Sequence, residues 1–216
     1  MAYMSATHTV NDVLTYIKRQ FGDESGVQID NADIMRWINA GQDEIFRKVK
    51  PIKATATADL LVNQSGYTFP ANVLFVQAIH VNGSPIPSRS FEEAEEYAIS
   101  QDPLRVETGN PQFWYEFGGT FTFWPKPSTT ITGGIMIYYV KSPTAVVATT
   151  DLLSVPDSMY MRLIEWVMSQ AYELDENMEG YQMKTNQFNN GVLDLSGDDA
   201  TIDDTYPRIT VYSEDM

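Results

Sequence analysis

Cysteine is absent from the 216-residue chain, and histidine occurs only twice. The lack of cysteine excludes disulfide bonds, thiolate metal ligands and thiol nucleophiles. Basic side chains are also few, because 14 Lys and Arg stand against 29 Asp and Glu, for a net charge of −15. Since binding to phosphates depends on clustered cations, this balance argues against a basic nucleic-acid-binding surface.

Long hydrophobic runs are missing as well. No stretch of about 18 apolar residues occurs, and the first residues lack the basic and apolar regions of a signal peptide. We therefore expect a soluble protein with no membrane association that stays in the compartment where it is made. With 43% hydrophobic residues, the composition is that of an ordinary globular protein.

Recognisable catalytic motifs are not found. The sequence has no phosphate-binding loop, no nucleophile elbow and no HExxH zinc motif. His8 lies in a terminus that we expect to fray, and His80 lies beside a predicted turn, so plain surface or strand roles are expected for both. The sequence therefore predicts no enzymatic activity, no metal site and no cofactor.

Helical periodicity marks both ends of the chain. Thr9 and Asp12 have capping-box spacing before an apolar stripe, and Gly22 provides a helix stop. A second helix, capped near residue 30, is predicted to end at Pro51. Helix returns at Ser154, with a proline in its first turn, and a more polar helical segment continues to about residue 195.

The middle of the chain has the composition of β-strands. Residues 54–141 are rich in Val, Ile, Thr, Phe and Tyr, with Gly and Pro at turn intervals. Asn82-Gly83 predicts a tight hairpin whose return strand, which contains Pro85, lies at a sheet edge. A second hairpin at Gly118-Gly119 would place Trp114 opposite Phe123.

The sequence therefore predicts an α+β fold in which N- and C-terminal helices form one bundle around an inserted, antiparallel β-rich domain. The predicted boundaries are 1–51 for the first helices, 52–150 for the β-rich domain and 151–195 for the last helices. Residues 196–216 are predicted to form an extended, acidic C-terminal tail.

The tail contains one segment that is unlike its acidic surroundings. Residues 194–216 have seven acidic side chains and a single basic one. The segment itself is rich in β-branched and aromatic residues: Tyr206, Pro207, Arg208, Ile209, Thr210, Val211 and Tyr212. Such a segment can add as a strand to the sheet edge of another chain, so we expect it to bind a partner.

Two sets of acidic residues have a possible carboxylate chemistry as an alternative to a solvated role. The acidic pairs of the tail, Asp198, Asp199, Asp203 and Asp204, could surround calcium but lack EF-hand spacing. A pair for glycoside hydrolysis could come from Glu92, Glu93, Glu107 and Glu116. Solvated charge is the favoured interpretation of both sets.

Aromatic residues cluster around the second hairpin. Rings such as Trp114 and Phe121 could form a stacking platform for sugars or single-stranded nucleic acid. We expect them instead to form the core of the β-rich domain or a subunit interface. A carbohydrate-binding β module is kept as an alternative function.

Three motifs follow one another along the chain. A helical pattern contains Ile34, Trp37, Ile38, Asn39 and Ile45. The second hairpin ends in a corner that contains Trp124, Pro125 and Pro127, and Pro156 opens a late helix. Together, over residues 9–190, these motifs resemble the head-to-tail adaptor (connector) proteins of short-tailed bacteriophages.

The resemblance implies a structural protein of the virion neck, assembled in the host cytoplasm. Such proteins form rings of identical subunits, commonly twelve, between the portal protein and tail or nozzle proteins. DNA passes through the ring without sequence-specific binding. A C-terminal extension often reaches the portal, which would assign portal contact to residues 206–212. Another tail or nozzle protein is the alternative within the virion.

A ring around DNA would explain the net negative charge, because acidic side chains on a channel wall repel DNA phosphates and keep passing DNA from binding. The exposed acids of the late helical stretch are the candidate channel lining: Glu173, Asp175, Glu176 and Glu179. A solvated outer face is the alternative for the same four residues.

Overall fold

The chain contains both helices and sheets, and its two larger sheets are antiparallel, in agreement with the α+β class. The computed structural model describes residues 7–23, 25–100 and 108–203. Its helices are α1 (Val10–Phe21), α2 (Asn31–Val49), α3 (Phe91–Ser100), α4 (Tyr160–Leu174) and α5 (Met178–Asp203). Its strands are β1 (Lys53–Leu60), β2 (Gly66–Thr68), β3 (Val73–Val81), β4 (Ser84–Ile86), β5 (Thr108–Gly109), β6 (Phe113–Phe117), β7 (Thr120–Trp124), β8 (Lys126–Pro127) and β9 (Ile131–Lys141).

Several residues considered above lie outside this description. Glu107, Asp204 and the segment 206–212 are not among the described residues. The side chains of residues 98–100 and 196–203, which include the other candidate calcium ligands, are not described either.

The chain divides into two compact units. Ile52–Ser142 form the β-rich unit, and the chain on either side of it forms the helical unit. Residues 143–150, which the sequence assigned to the β-rich domain, lie with the helices. They are held there because Val10 and Asn11 at the start of α1 donate backbone hydrogen bonds to the carbonyls of Asp151 and Thr149, at 3.0 and 2.9 Å.

In the helical unit, helices from both ends of the chain pack on one another. α4 contacts α1, α2 and α5, and α2 also contacts α5. The apolar stripes seen in the sequence supply the buried side chains, among them Val10, Ile17, Ile34, Ile38, Ile45, Leu163, Val167 and Phe188. Burial of such side chains is the main source of helix stability in a folded protein.

The helix ends of this unit follow local chemistry. The Asp12 carboxylate accepts the backbone N–H and the hydroxyl of Thr9 at 2.7 and 2.9 Å, so the predicted start of α1 is confirmed. Gly22 ends α1 in the left-handed conformation, with a φ of 66° that glycine adopts without strain. Asp30 caps α2 by accepting the N–H of Ala32 at 3.0 Å.

The late helices begin and end differently from the prediction. Ser154 does not cap a helix, because its hydroxyl oxygen accepts the N–H of Thr144 at 2.9 Å. A 3-10 turn at Asp157–Met159 leads into α4 instead. α5 runs to Asp203, so residues 196–203 continue a helix rather than begin the extended tail. No proline interrupts this stretch before Pro207, and one interior glycine costs a helix only about 1 kcal/mol.

The β-rich unit contains a four-stranded sheet with the order β1-β9-β3-β4 and a three-stranded sheet with the order β2-β7-β6. The two hairpin predictions are confirmed. Asn82 and Gly83 both have positive φ, and Pro85 lies on the edge strand β4. In the second hairpin Trp114 lies opposite Phe123.

Side chains from both sheets form the core of this unit. Its buried members are Leu60, Tyr67, Ile79, Val81, Trp114, Phe121, Phe123, Ile135, Ile137 and Tyr139. Phe121 and Phe123 meet edge to face, with ring centroids 5.4 Å apart. The alternation of inward and outward side chains along each strand explains why the hairpin pattern was readable from the sequence.

Candidate functional site

The histidines are tied into the fold. His80 lies on β3 with its ring 4.7 Å from that of Tyr138. His8 is not in a frayed terminus, because its carbonyl accepts the N–H of Leu153 at 3.0 Å and its ring stacks on Tyr160 at 3.8 Å. The described residues contain no group of three or more His, Asp or Glu that could hold a metal ion.

Asp157 anchors the chain segment before α1 to the turn before α4. Its carboxylate accepts the backbone N–H and the hydroxyl of Thr7 at 2.9 and 2.8 Å. The backbone hydrogen bond, followed by that of the hydroxyl, lowers the pKa of Asp157. Burial raises the pKa of the neighbouring Tyr160 to about 12. Because its pKa is lowered, Asp157 is ionised at neutral pH and can hold the segment before α1 against the turn before α4.

Three of the four candidate carboxylates for glycoside hydrolysis are described, since Glu107 lies outside the described residues. Glu92, Glu93 and Glu116 are exposed. Glu93 has a structural role, because its carboxylate accepts the N–H of Ser90 and its own N–H donates to the Ser90 hydroxyl, both at 3.2 Å. This is a capping box at the start of α3.

Most rings of the second hairpin are used for packing. Phe113, Trp114, Phe121 and Phe123 are buried, which leaves their faces unavailable for stacking on a sugar or a base. Phe117 is different, because it is 61% exposed near the hairpin turn, where it stacks on Phe91 with centroids 4.7 Å apart. The sequence pattern did not distinguish this ring from the buried ones.

At the hairpin corner, backbone hydrogen bonds join separate chain segments of the β-rich unit. Trp124 is half-buried, and Pro125 and Pro127 are buried. The carbonyl of Trp124 accepts the N–H of Gln112, and that of Pro127 accepts the N–H of Asn63, both at 2.8 Å. The corner therefore fixes three chain segments to one another rather than presenting a binding surface.

The motif in α2 divides into packing and polar positions. Ile34, Ile38 and Ile45 are fully buried, whereas Trp37 is half-buried. The amide of Asn39 donates to the carbonyl of Val146 at 3.0 Å and accepts its N–H at 2.8 Å. An amide side chain can satisfy both groups of one residue because it carries a donor and an acceptor side by side.

Gln42 extends this polar contact one turn further along α2. Only 1% of it is exposed, and its Oε1 accepts the N–H of Ser154 at 2.6 Å. This role of Gln42 was not predicted from the sequence, although a glutamine inside the apolar stripe of α2 was a visible signal. Asn39 and Gln42 together hold the segment that leads from the β-rich unit back to α4.

The four candidate channel acids lie together at the turn between α4 and α5, and all are exposed: Glu173, Asp175, Glu176 and Glu179. Two exposed apolar residues, Leu174 at 52% and Met178 at 56%, lie in the same turn. Asn177 begins α5 by accepting the N–H of Gly180 at 2.9 Å. The structure thus places the four acids in and around one exposed turn of the helical unit.

Comparison with known proteins gives these features a family. None of the helices in the described ranges combines the length and hydropathy that a membrane crossing needs. A search of curated proteins found no match. The family model described as SU10 adaptor protein matches residues 8–211, which span both units. The chain therefore belongs to the SU10 adaptor protein family of phage head-to-tail adaptors and is a structural protein of the bacteriophage virion.

Proposed function

We propose that the protein forms a homo-oligomeric ring, with twelve subunits as the expected number, that joins the portal to tail or nozzle proteins. The observation that carries this proposal is the family match, because it extends over residues 8–211 and so includes the helical and the β-rich units alike. A match to only one of the two units would support the proposal much less, because a shared fold does not by itself imply a shared function.

In this proposal the protein has no enzymatic role. The His8 and Glu93 side chains, which were candidates for reactive groups, and the Asp157 side chain have partners that hold structural elements in place. The carbohydrate-binding alternative loses its main support, because the rings that would stack on a sugar are core residues.

We assign the channel lining to the acidic turn between α4 and α5. Glu173 and Asp175 lie at the carboxyl end of α4, whose last turn has no basic residue. Acids there oppose the helix dipole by about 0.3–1 kcal/mol each, so helix stability does not account for them. In a ring, their repulsion of DNA phosphates acts over about 10 Å and keeps passing DNA from binding.

We assign portal contact to the tail segment, Tyr206 to Tyr212. Its β-branched and aromatic residues suit strand addition to a partner, as the sequence indicates. The domain plan that goes with this assignment is a terminal helix bundle, an inserted β-rich domain and a tail that extends beyond α5.

Chromatography with light scattering and negative-stain imaging test the proposal, with the protein alone and with purified portal rings. We expect rings of one size that stack on the portal. A variant lacking residues 205–216 should keep the fold and form weaker portal complexes, and the double variant Ile209→Asn/Val211→Asn should do the same. Thr210→Ser is the matched control. A chain that stays monomeric with portal present contradicts the proposal.

A further inference from the structure

Strand β1 is the terminal strand of the four-stranded sheet. Among the described residues, no strand pairs with its outer side from Ala54 onward. The opposite edge strand, β4, has only three residues and includes Pro85, which lacks a backbone donor. β1 has eight residues and no proline. An open edge of this length is a template for another strand.

The register of β1 shows which backbone groups are available. The N–H of Lys141 donates to the carbonyl of Ile52 at 2.9 Å, which makes these two residues a hydrogen-bonded pair. Because such pairs alternate in an antiparallel ladder, Ala54, Ala56 and Ala58 also bond to β9. Thr55 and Thr57 therefore direct their N–H and C=O groups toward the open edge.

The two faces of β1 differ. Thr55 and Thr57 are exposed on the outer face. Ala54, Ala56 and Ala58 are half-buried and pack against the core of the β-rich unit. Alanine is the smallest side chain with a Cβ, so this edge of the core can take larger apolar side chains from an added strand. The edge is suited to a strand with one apolar and one polar face.

The segment 206–212, which lies outside the described residues, has this pattern in its sequence. Pro207, Ile209 and Val211 alternate with tyrosine, arginine and threonine residues. As a strand it would present its apolar residues on one face, because successive side chains point to opposite faces. Its five residues 207–211 equal in number the five from Ala54 to Ala58 that precede the register shift in β1.

We propose that the open edge of β1 receives residues 206–212 of a second copy of the chain, as an antiparallel strand. In this register Ile209 lies opposite Ala56 and Val211 opposite Ala54, which adds two β-branched side chains to the core. Arg208 and Thr210 bond to Thr57 and Thr55. The pairing holds the tail segment within the ring until the portal takes it up, and in this respect it rests on the proposed function.

Pro207 selects the antiparallel orientation. With the apolar residues facing the core, an antiparallel strand bonds to β1 through residues 208 and 210, so the missing donor of Pro207 points away from β1. In a parallel strand the bonding positions would be 207, 209 and 211, and Pro207 would leave one bond unmade.

Engineered cysteines test the pairing in a chain that has none of its own. Full-length Thr55→Cys protein is mixed with size-tagged full-length Thr210→Cys protein under mild oxidation. A disulfide between the two species can form only between copies. We expect a mixed dimer on a non-reducing gel, and we expect its loss when excess portal is added. Val211→Cys in place of Thr210→Cys is the matched control, since it lies on the opposite face and should link poorly.

Thr57→Pro provides a second variant. Its N–H faces the open edge and not β9, so proline there should leave the sheet intact and remove the cross-link. The proposal is overturned if the mixed dimer is absent, if Val211→Cys links equally well, or if only an intrachain link forms in Thr55→Cys/Thr210→Cys. These cross-linking outcomes do not test ring formation or portal binding, which imaging measures separately. Conversely, a cross-linked protein that binds no portal would count against the proposed function alone.

Discussion

The side chain of Asn39 on α2 is paired with both backbone polar groups of Val146, at 3.0 and 2.8 Å. The two residues are separated by the whole β-rich unit in sequence, so this pair closes the chain where it re-enters the helical unit. A buried or half-buried backbone group that loses its partner costs about 1–3 kcal/mol. Asn39 therefore stabilises the helical unit through a contact that packing alone does not supply.

Asn39→Asp should lower the free energy of unfolding by about 1–3 kcal/mol, because the carboxylate keeps an acceptor but offers no donor to the Val146 carbonyl. Denaturant unfolding measures the change. Asn186→Asp, at an exposed position of α5, is the control and should be nearly neutral. Equal stability of the Asn39→Asp protein and the original would show that the amide pairing is dispensable.

Gly41→Ala should destabilise the protein although alanine is the better helix former. A Cβ at Gly41 would lie 2.6 Å from Cδ1 of Trp166 and 2.7 Å from Cδ1 of Leu163, so these side chains would have to shift or α2 and α4 would have to separate. We expect a loss of about 1–3 kcal/mol from overpacking. The exposed neighbour supplies the control, since Ala40→Gly reports the propensity effect alone, about 1 kcal/mol. A Gly41→Ala protein that is more stable would contradict the close approach of the helices.

Asp23 should make stability depend on pH in the acid range. Its carboxylate accepts the N–H groups of Val27, Gln28 and Ile29 at 2.8, 2.9 and 2.9 Å. The hydrogen bond from Ile29 contributes most to lowering the pKa below its ordinary value of 3.8. A lowered pKa means that the folded state binds the proton less readily than the unfolded state, so this stabilisation is complete above pH 3.8 and is lost below it.

Asp23→Asn should therefore flatten the fall of the melting temperature as the pH decreases through this range. Thermal unfolding at a series of acid pH values measures the slope. Asp43→Asn, on the exposed side of α2, serves as the control and should keep the original slope. An unchanged slope in the Asp23→Asn protein would mean that its three hydrogen bonds do not contribute to acid stability.

The second hairpin allows a comparison of two phenylalanines. Phe121→Ala should cost about 3–5 kcal/mol, because Phe121 is fully buried between the sheets of the β-rich unit. Phe117→Ala should cost well under half of that, since the ring is 61% exposed. Denaturant unfolding of the two variants gives the ratio directly. Similar losses at both positions would place Phe117 in a packed environment.

Neutralising the acidic turn tests the channel assignment. The quadruple variant Glu173→Gln/Asp175→Asn/Glu176→Gln/Glu179→Gln should bind short duplex DNA more tightly, because phosphate repulsion is removed. Fluorescence anisotropy measures the binding, and the gain should shrink as salt is added.

The matched control neutralises four exposed acids of the β-rich unit: Glu92, Glu95, Glu96 and Glu116. If the control raises DNA affinity as much as the turn variant, the effect is one of net charge, and the turn has no special position relative to DNA.

Patterns that arise from neighbouring residues were readable from the sequence. The pairing of Trp114 with Phe123 followed from a two-residue turn and a period of two, and the start of α1 followed from one local capping pattern. The prediction that Ser154 caps a helix was wrong because it depended on a contact that is not local. Its hydroxyl looked like a helix cap, but a distant partner, Thr144, uses that oxygen in the folded chain.

The sequence by itself determined the helix stripes and the hairpin registers, because these depend on spacing within a few turns or strands. The order of three motifs along residues 9–190 indicated the adaptor family. Only the tertiary structure decided that Asn39 and Gln42 bind the returning chain, that Gly41 marks a helix contact and that β1 is a terminal strand of its sheet in the described part of the chain. These features depend on which distant segments pack together. That packing is determined by the burial of apolar helix and sheet faces rather than by local propensity.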